Sequence, residues 1–260
     1  MIDIGVNLTH PSMLNNLDDN IEQWQQAGVN TIIAIASNLS ESHELNTISA
    51  RYADKIWHTI GCHPHNADDW THTSKAEATS LIPVASHCIA IGETGLDFNR
   101  NYSSQTNQIL SFEEQIQLSL EFSLPLYLHE REAEATLQSI LVNQIGQEVH
   151  GVLHCFTSSK ESVKRYLDLG LYIGITGWIC DERRGQELQE AIRYIPKDRI
   201  LLETDSPYLL PRTLKPKPKK NHPKFLSHIL EQAAIFSGID VIELKTLSIQ
   251  NSQKLFNLPV

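Results

Sequence analysis

Carboxylates and imidazoles interrupt this sequence where apolar runs ought to continue. Glu93 follows "CIAIG" (88–92), His129 follows "PLYL" (125–128), and His154 follows "VHGVL" (149–153). Asp205 follows "RILLET" (199–204), with Glu203 two residues before it, and "IWHTI" (56–60) passes into "GCHPH" with His63 and His65. Glu, His and Asp together form a mixed oxygen and nitrogen donor set that suits Zn²⁺, Mn²⁺ or Mg²⁺. The chemistry such a set supports is attack by a water whose pKa a cation has lowered. Arg131, two residues beyond His129, carries a planar fork of donors that matches phosphate oxygens. Taken singly, each residue has a plainer reading. A strand-end histidine can be a hydrogen-bonded structural group, Glu93 a cap or loop ion pair, and Asp205 a turn residue before Pro207. Recurrence of the pattern at one kind of place favours the chemical reading. His10, His43, His58, His72, His87, His150, His222 and His228 have no such alignment and read as surface or structural groups.

The elements that must position these residues alternate along the chain. Strands are read in "IDIGV", "TIIAIAS", "IWHTIG", "CIAIGE", "PLYLH", "VHGVLHCF", "LYIGIT" and "RILLETD". Helical segments lie between them, at about 18–27, from Ser40, at 74–81, 105–122, 132–143, 160–169 and 182–194, with Ser158 or Ser159 as the cap of the sixth. Two more follow, at about 223–236 and 241–256. Eight strands separated by helices predict a parallel sheet and an α/β fold of the (β/α)8 TIM-barrel type. An open doubly wound sheet is the alternative, but no GxGxxG turn follows the first strand. A barrel would gather the carboxyl ends of its strands on one face, which explains why a charge belongs at each of them. Residues 1–260 are expected to form one domain, with the helices at about 223–256 packed on the barrel. The segment 211–224, rich in Pro and Lys, is expected to be an extended loop.

Composition limits the function classes. No stretch approaches the roughly 20 apolar residues of a membrane helix, and no leader-like segment follows Met1, so a cytoplasmic protein without membrane contact is expected. Four scattered cysteines without a CxxC pair read as reduced thiols. A net charge of −10 argues against broad electrostatic binding of nucleic acid, yet leaves room for a nuclease that holds phosphates through bound metal ions and a local basic patch. Lys215, Lys217, Lys219 and Lys220 form the one basic cluster, either a contact to the DNA backbone or a solvated loop.

Seven strings in this order are similar to those of the TatD family of metal-dependent deoxyribonucleases, within the amidohydrolase-like barrels. They are "DIGVNL" (3–8), "GCHPH" (61–65), "IGETGLDFNRN" (91–101), "LHERE" (128–132), "LHCFT" (153–157), "YIGITGW" (172–178) and "LLETDSPYLLP" (201–211). The resemblance implies Glu93, His129 and His154 as metal-binding residues, Asp205 at the catalytic centre, and His63 and His65 near the substrate phosphate. It further implies a 3′–5′ exonuclease on single-stranded DNA that also accepts RNA, using Mg²⁺ or a similar ion. Two positions depart from the family pattern. Gly5 and Asn7 stand where many members have a His-x-His pair, which weakens one metal position and fits a looser Mg²⁺ site, with Mn²⁺ or Zn²⁺ as alternatives. His222 stands where a Glu is common.

The expected reaction is therefore phosphodiester hydrolysis by a monomer. Asp205 accepts or orients the water's proton, with a metal contact as its other possible role. His63, His65 and Arg131 hold the phosphate or the leaving oxygen. Tyr102 and Trp178 are either base-stacking residues or ordinary packing. The rival reading is a metal-dependent hydrolase of another ester or amide bond, such as an aminoacyl-tRNA deacylase. A non-enzymatic binding barrel is a further alternative, against which the complete set Glu93, His129, His154 and Asp205 speaks.

Overall fold

The computed structural model describes residues 1–146 and 148–259. Its strands are β1 (Ile2–Val6), β2 (Thr31–Ala34), β3 (Ile56–Ile60), β4 (Cys88–Asp97), β5 (Leu126–Arg131), β6 (Gly151–Leu153), β7 (Tyr172–Ile175) and β8 (Ile200–Leu202). Its helices are α1 (Pro11–Leu14), α2 (Leu17–Gln26), α3 (Leu39–Arg51), α4 (His72–Leu81), α5 (Gln105–Phe122), α6 (Glu134–Gln144), α7 (Lys160–Asp168), α8 (Gln186–Ala191), α9 (Leu226–Ser237) and α10 (Val241–Phe256). The strands form one sheet in chain order, β1 to β8, and the described pairings are parallel. This is the (β/α)8 architecture of the TIM-barrel type that the alternation predicts. Parallel strands are covered on both faces, so they are written as continuous apolar runs. Ile32, Ile33, Ile91, Leu126, Leu128, Ile173, Ile200 and Leu201 are accordingly all fully buried.

Two compact units make up the chain. One comprises Met1–Ala34, Cys155–Leu167 and Tyr172–Val260; the other comprises Ile35–His154 and Asp168–Leu171. In the first, α10 packs on β1 and β8, and the buried Asn251 side chain donates to the carbonyls of Lys197 and Ile200 at 2.9 and 3.0 Å. Asp240 caps this helix by accepting from the backbone N–H of Ile242 and Glu243. The chain beyond β8 returns to β1 through a bridge between Val6 and Ser206. In the second unit, α3 and α5 begin at the caps Asn38 and Ser104, and α5 buries Phe112 and Ile116 completely. Each such side chain contributes about 2 kcal/mol of transfer free energy.

Several boundaries differ from the sequence expectation, each for a local reason. The helix expected over 182–194 starts only at Gln186, because the Asp181 carboxylate draws the N–H groups of Arg183 and Arg184 into a turn. Strand β4 does not stop at Glu93 but runs on to Asp97. Of the two serines predicted to cap the segment 160–169, Ser159 caps α7, its hydroxyl accepting from Ser162 N–H at 3.3 Å. Of the segment 211–224 expected as a loop, 211–222 has neither helix nor strand, in keeping with its prolines, while Pro223–Phe225 forms a short helical turn. Short helical turns open at three His-Pro dipeptides, His10-Pro11, His63-Pro64 and His222-Pro223. In each, the histidine Nδ1 accepts the N–H two residues on, at 3.1, 3.0 and 3.1 Å. Proline supplies the preset φ of a first helical position, and the imidazole takes the cap that Ser or Asp usually provides. His222 also lies 3.1 Å from Asn20 Oδ1 through Nε2, so the residue that departs from the family pattern closes a contact between its turn and α2.

Candidate functional site

The second unit answers why a carboxylate stands inside a buried run. Along β4 and β5, Gly92 pairs with Tyr127 and Thr94 with Leu128, leaving Glu93 as the extra residue of a β-bulge. A bulge re-aims one side chain without ending the strand. The Glu93 N–H is spent on the Ala36 carbonyl at 3.1 Å. Beyond the bulge, Gly95 pairs with His129 and Asp97 with Arg131. A Cβ on Gly92 would lie 2.2 Å from Tyr127 O, and one on Gly95 would lie 2.0 Å from His129 O. Both positions also have φ above +130°, so only glycine lets β4 approach β5 this closely.

The buried Glu93 carboxylate faces three imidazoles. Its Oε1 lies 2.9 Å from His129 Nδ1, 3.3 Å from His63 Nε2 and 3.5 Å from His154 Nε2. Burial pushes the Glu93 carboxyl up, but the imidazoles of His63 and His154 and the hydrogen bond from His129 outweigh it and hold the group ionised. Asp97, four residues on, was not singled out from the sequence, yet it belongs to the same cluster. Its Oδ2 accepts from His65 Nε2 at 2.7 Å and lies 3.4 Å from His129 Nε2. Burial opposes its ionisation, and the bonds from His129, Arg100 N–H and His65 lower its pKa nonetheless. Alternation along β4 could have found it: beyond Glu93, every second residue faces the same way.

The donors present fit a divalent cation. Ligand atoms of His63, Glu93 and His129 lie within 4.8 Å of one another. His129 Nε2 is buried, and Asp97 Oδ2 at 3.4 Å is a long, poorly directed partner for it. Burial works against a charged His129, yet Asp97 and Glu93 push its pKa up to about 9. The cluster thus attracts one unit of positive charge, which a cation would replace as it displaces the proton. His154 has its Nδ1 3.0 Å from the buried Tyr127 hydroxyl, which fixes the ring with Nε2 toward Glu93. His63 differs: its Nδ1 accepts from His65 N–H, so the neutral ring carries its proton on Nε2 and acts as a donor there. Burial, only partly offset by Glu93, lowers the His63 pKa to about 4 and keeps it neutral.

Two glutamines of α5 hold the backbone around this cluster, and nothing in their residue type announced it. Gln115 accepts from Cys62 N–H at 2.8 Å and donates to Cys62 O at 3.0 Å, fixing the segment that delivers His63. Gln108, two turns earlier on the same face, accepts from Asp97 N–H and donates to the carbonyls of Asp97 and Ser103. Arg131 is exposed at the end of β5. Tyr102 is 66% exposed and sits edge-on to His65 at 4.7 Å.

The first unit contains Asp205, just past β8. Asn7 Nδ2 donates to its Oδ1 at 2.8 Å, and Asp205 N–H donates to Gly5 O at 2.9 Å. The two departures, Gly5 on β1 and Asn7 just past it, thus both hydrogen-bond Asp205. Buried Asp3 completes the link, accepting from Thr204 N–H at 2.8 Å and Thr204 Oγ1 at 2.6 Å. Burial pushes the Asp3 carboxyl up to about 8 against the pull of those bonds. Glu203 accepts from Cys155 N–H at 2.6 Å. The four cysteines are free thiols. Among the described residues, no single helix is long and apolar enough to cross a membrane.

Comparison with known proteins agrees over the whole length. The family model described as "TatD related DNase" matches residues 2–257. A protein of Erwinia tasmaniensis, named 3′-5′ ssDNA/RNA exonuclease TatD, is 44% identical over 260 residues, covering 99% of this chain and 100% of its own. A protein of the same name from Klebsiella pneumoniae is 42% identical over 262 residues, covering 100% and 99%. Among solved structures, a TatD homolog from Escherichia coli superposes with a TM-score of 0.91 at 24% identity, covering 100% of this chain and 98% of its own. A TatD-family hydrolase from Entamoeba histolytica gives 0.90 at 24% identity, covering 98% and 97%.

Proposed function

The chain belongs to the family of TatD-related DNases, and from that premise we propose that it is a metal-dependent phosphodiesterase, acting as a 3′–5′ exonuclease on single-stranded DNA and also on RNA. The observation that carries the reading is the bulged Glu93, with three imidazoles between 2.9 and 3.5 Å from one oxygen. Glu93, His129 and His154 hold the cation, and Mg²⁺ is the proposed ion; the imidazoles also suit Mn²⁺ or Zn²⁺. A bound cation would lower the pKa of a water and offset charge on the phosphate oxygens. Asp205 takes the proton of the attacking water or orients it, with Asn7 fixing which carboxylate oxygen is turned to the task. His63 donates from Nε2, and His65 and Arg131 add donors to phosphate or leaving oxygen. The donor tautomer of His63 supports placing it on substrate rather than on metal. The relatives named above as single-strand exonucleases support the substrate class. The same reading makes residues 1–260 one hydrolase domain, with the helices at 223–256 packed on it, working as a cytoplasmic monomer.

The test compares a 3′-blocked with an unblocked single-stranded oligonucleotide under Mg²⁺, Mn²⁺, Zn²⁺ or chelator. Stepwise shortening of only the unblocked strand, lost with chelator, is the expected result. Inertness under every ion, combined with metal-dependent release of amino acid from aminoacyl-tRNA, would replace the nuclease by a deacylase.

A further inference from the structure

We infer that the loops after β7 and β8 form a clamp for a backbone phosphate of a single-stranded polynucleotide, separate from the phosphate that is cleaved; the inference rests on the phosphodiesterase reading. Its centre is Asp181, a buried carboxylate in the turn after β7. One oxygen, Oδ1, accepts the N–H groups of Arg183 and Arg184 at 3.0 and 3.2 Å. The other, Oδ2, accepts from Arg184 Nε at 3.0 Å and lies 3.0 Å from Arg184 Nη2. Arg212, from the β8 loop, brings its Nη1 to 3.6 Å of the same oxygen. Two guanidinium groups therefore share one carboxylate, which leaves the cluster positive in a chain whose net charge is −10. The side chains of Arg184 and Arg212 remain 58% and 41% exposed.

The geometry of Arg184 is set before any ligand arrives. The Arg184 guanidinium lies 4.4 Å from the Trp178 ring centroid, so its plane is already fixed by stacking. One face of Trp178 is thus taken by an arginine rather than open to a base. The two loops interlock, since a Cβ on Gly177 would lie 2.3 Å from Leu209 O. Each guanidinium has five N–H donors, and the carboxylate uses at most two of Arg184 and one of Arg212. The remaining donors match phosphate oxygens, and a fork immobilised in advance loses little entropy on binding. Arg212 lies seven residues beyond Asp205 in the same loop. The clamp is therefore tied to the proposed catalytic carboxylate through a short, hydrogen-bonded stretch of chain. A substrate with one phosphodiester has nothing to offer it; a polynucleotide does.

The experiment uses the full-length protein carrying both Arg184→Ala and Arg212→Ala. Two substrates are compared: a short thymidine single strand, and bis(p-nitrophenyl) phosphate, which has one phosphodiester and no second phosphate. The expected result is a KM for the strand raised about tenfold with kcat unchanged. The slope of log KM against log salt should fall by about 0.7, one phosphate's share in a single strand. Hydrolysis of bis(p-nitrophenyl) phosphate should keep its wild-type rate, which also reports that the variant is folded. Arg184→Lys with Arg212→Lys should restore the salt slope but only part of the KM, because charge returns without the fork. An unchanged KM and slope for the strand would overturn the clamp, as would an equal loss on both substrates. If the wild type cleaves neither substrate, the phosphodiesterase reading fails by itself. Fluorescence anisotropy of a labelled thymidine strand then decides the clamp: weaker binding by the double alanine variant upholds it, and equal binding removes it.

Discussion

Glu93, at a bulge within β4, and Asp205, just past β8, are both carboxylates, but their surroundings differ in kind. Glu93 is turned inward by a bulge and faces His63, His129 and His154. Asp205 is held by an amide, with Asn7 Nδ2 at 2.8 Å on its Oδ1. An imidazole nitrogen can give its lone pair to a cation once a proton leaves; an amide N–H cannot. On the function proposed above, the first surrounding gathers ligands and the second orients a base. The departures at Gly5 on β1 and at Asn7 just past it belong with the second.

The comparison is broken most decisively at the imidazoles. His129→Ala, or separately His154→Ala, should abolish nuclease activity and cation binding by calorimetry while circular dichroism stays unchanged; wild-type rates in either variant would remove that residue from the ligand set. Asp205→Asn should lower turnover about a thousandfold, within the range of a lost general base, with cation affinity kept. Loss of cation binding in that variant would turn Asp205 into a ligand and erase the contrast.

A third test separates cluster histidines from a structural one. His58 is fully buried, with Nδ1 3.0 Å from Ser49 Oγ and Nε2 without a partner among the described residues. Burial, with a small push from His87, lowers its pKa from 6.5 to about 4. The unfolded chain then binds the proton first as pH falls. The stability this group contributes is complete above pH 6.5 and is lost toward pH 4, by about 3 kcal/mol. Urea midpoints measured over that range should fall accordingly; a flat curve would mean that the folded protein accepts the proton at His58. The smallest expected effect is at Asn7. Asn7→Ala should cost about tenfold in turnover, the worth of one hydrogen bond to a charged group, with cation affinity unchanged. An undiminished turnover would show that Asp205 is oriented by its backbone alone.

The gathering of Glu93, His129 and His154 could be read before the fold was known, because each interrupts an apolar run. The eight-strand alternation was legible for the same reason: buried parallel strands leave uninterrupted Ile, Leu and Val. Asp97 escaped because a bulge lets β4 continue beyond the point where charge suggests an ending. Gln108 and Gln115 escaped because a helical glutamine normally signals solvent, whereas here both are buried on backbone groups. Asp181 was hidden just before a stretch that reads as a helix from Glu182, and only the turn it ties reveals why α8 begins late. Asn7 was noticed for what it could not ligate, and its partner lies 198 residues away, where no local pattern reaches.

The glycines at 92 and 95 carry a lesson for transplanting such a centre into another scaffold. Copying Glu93 and His129 alone would reproduce the functional groups without the spacing between their strands, because any side chain at either glycine collides with a carbonyl of β5. The smallest portable part is therefore the whole stretch from Gly92 to Asp97 together with its partner Tyr127–Arg131, bulge included. A saturation library over those residues should find the two glycines as intolerant as the imidazole they make room for.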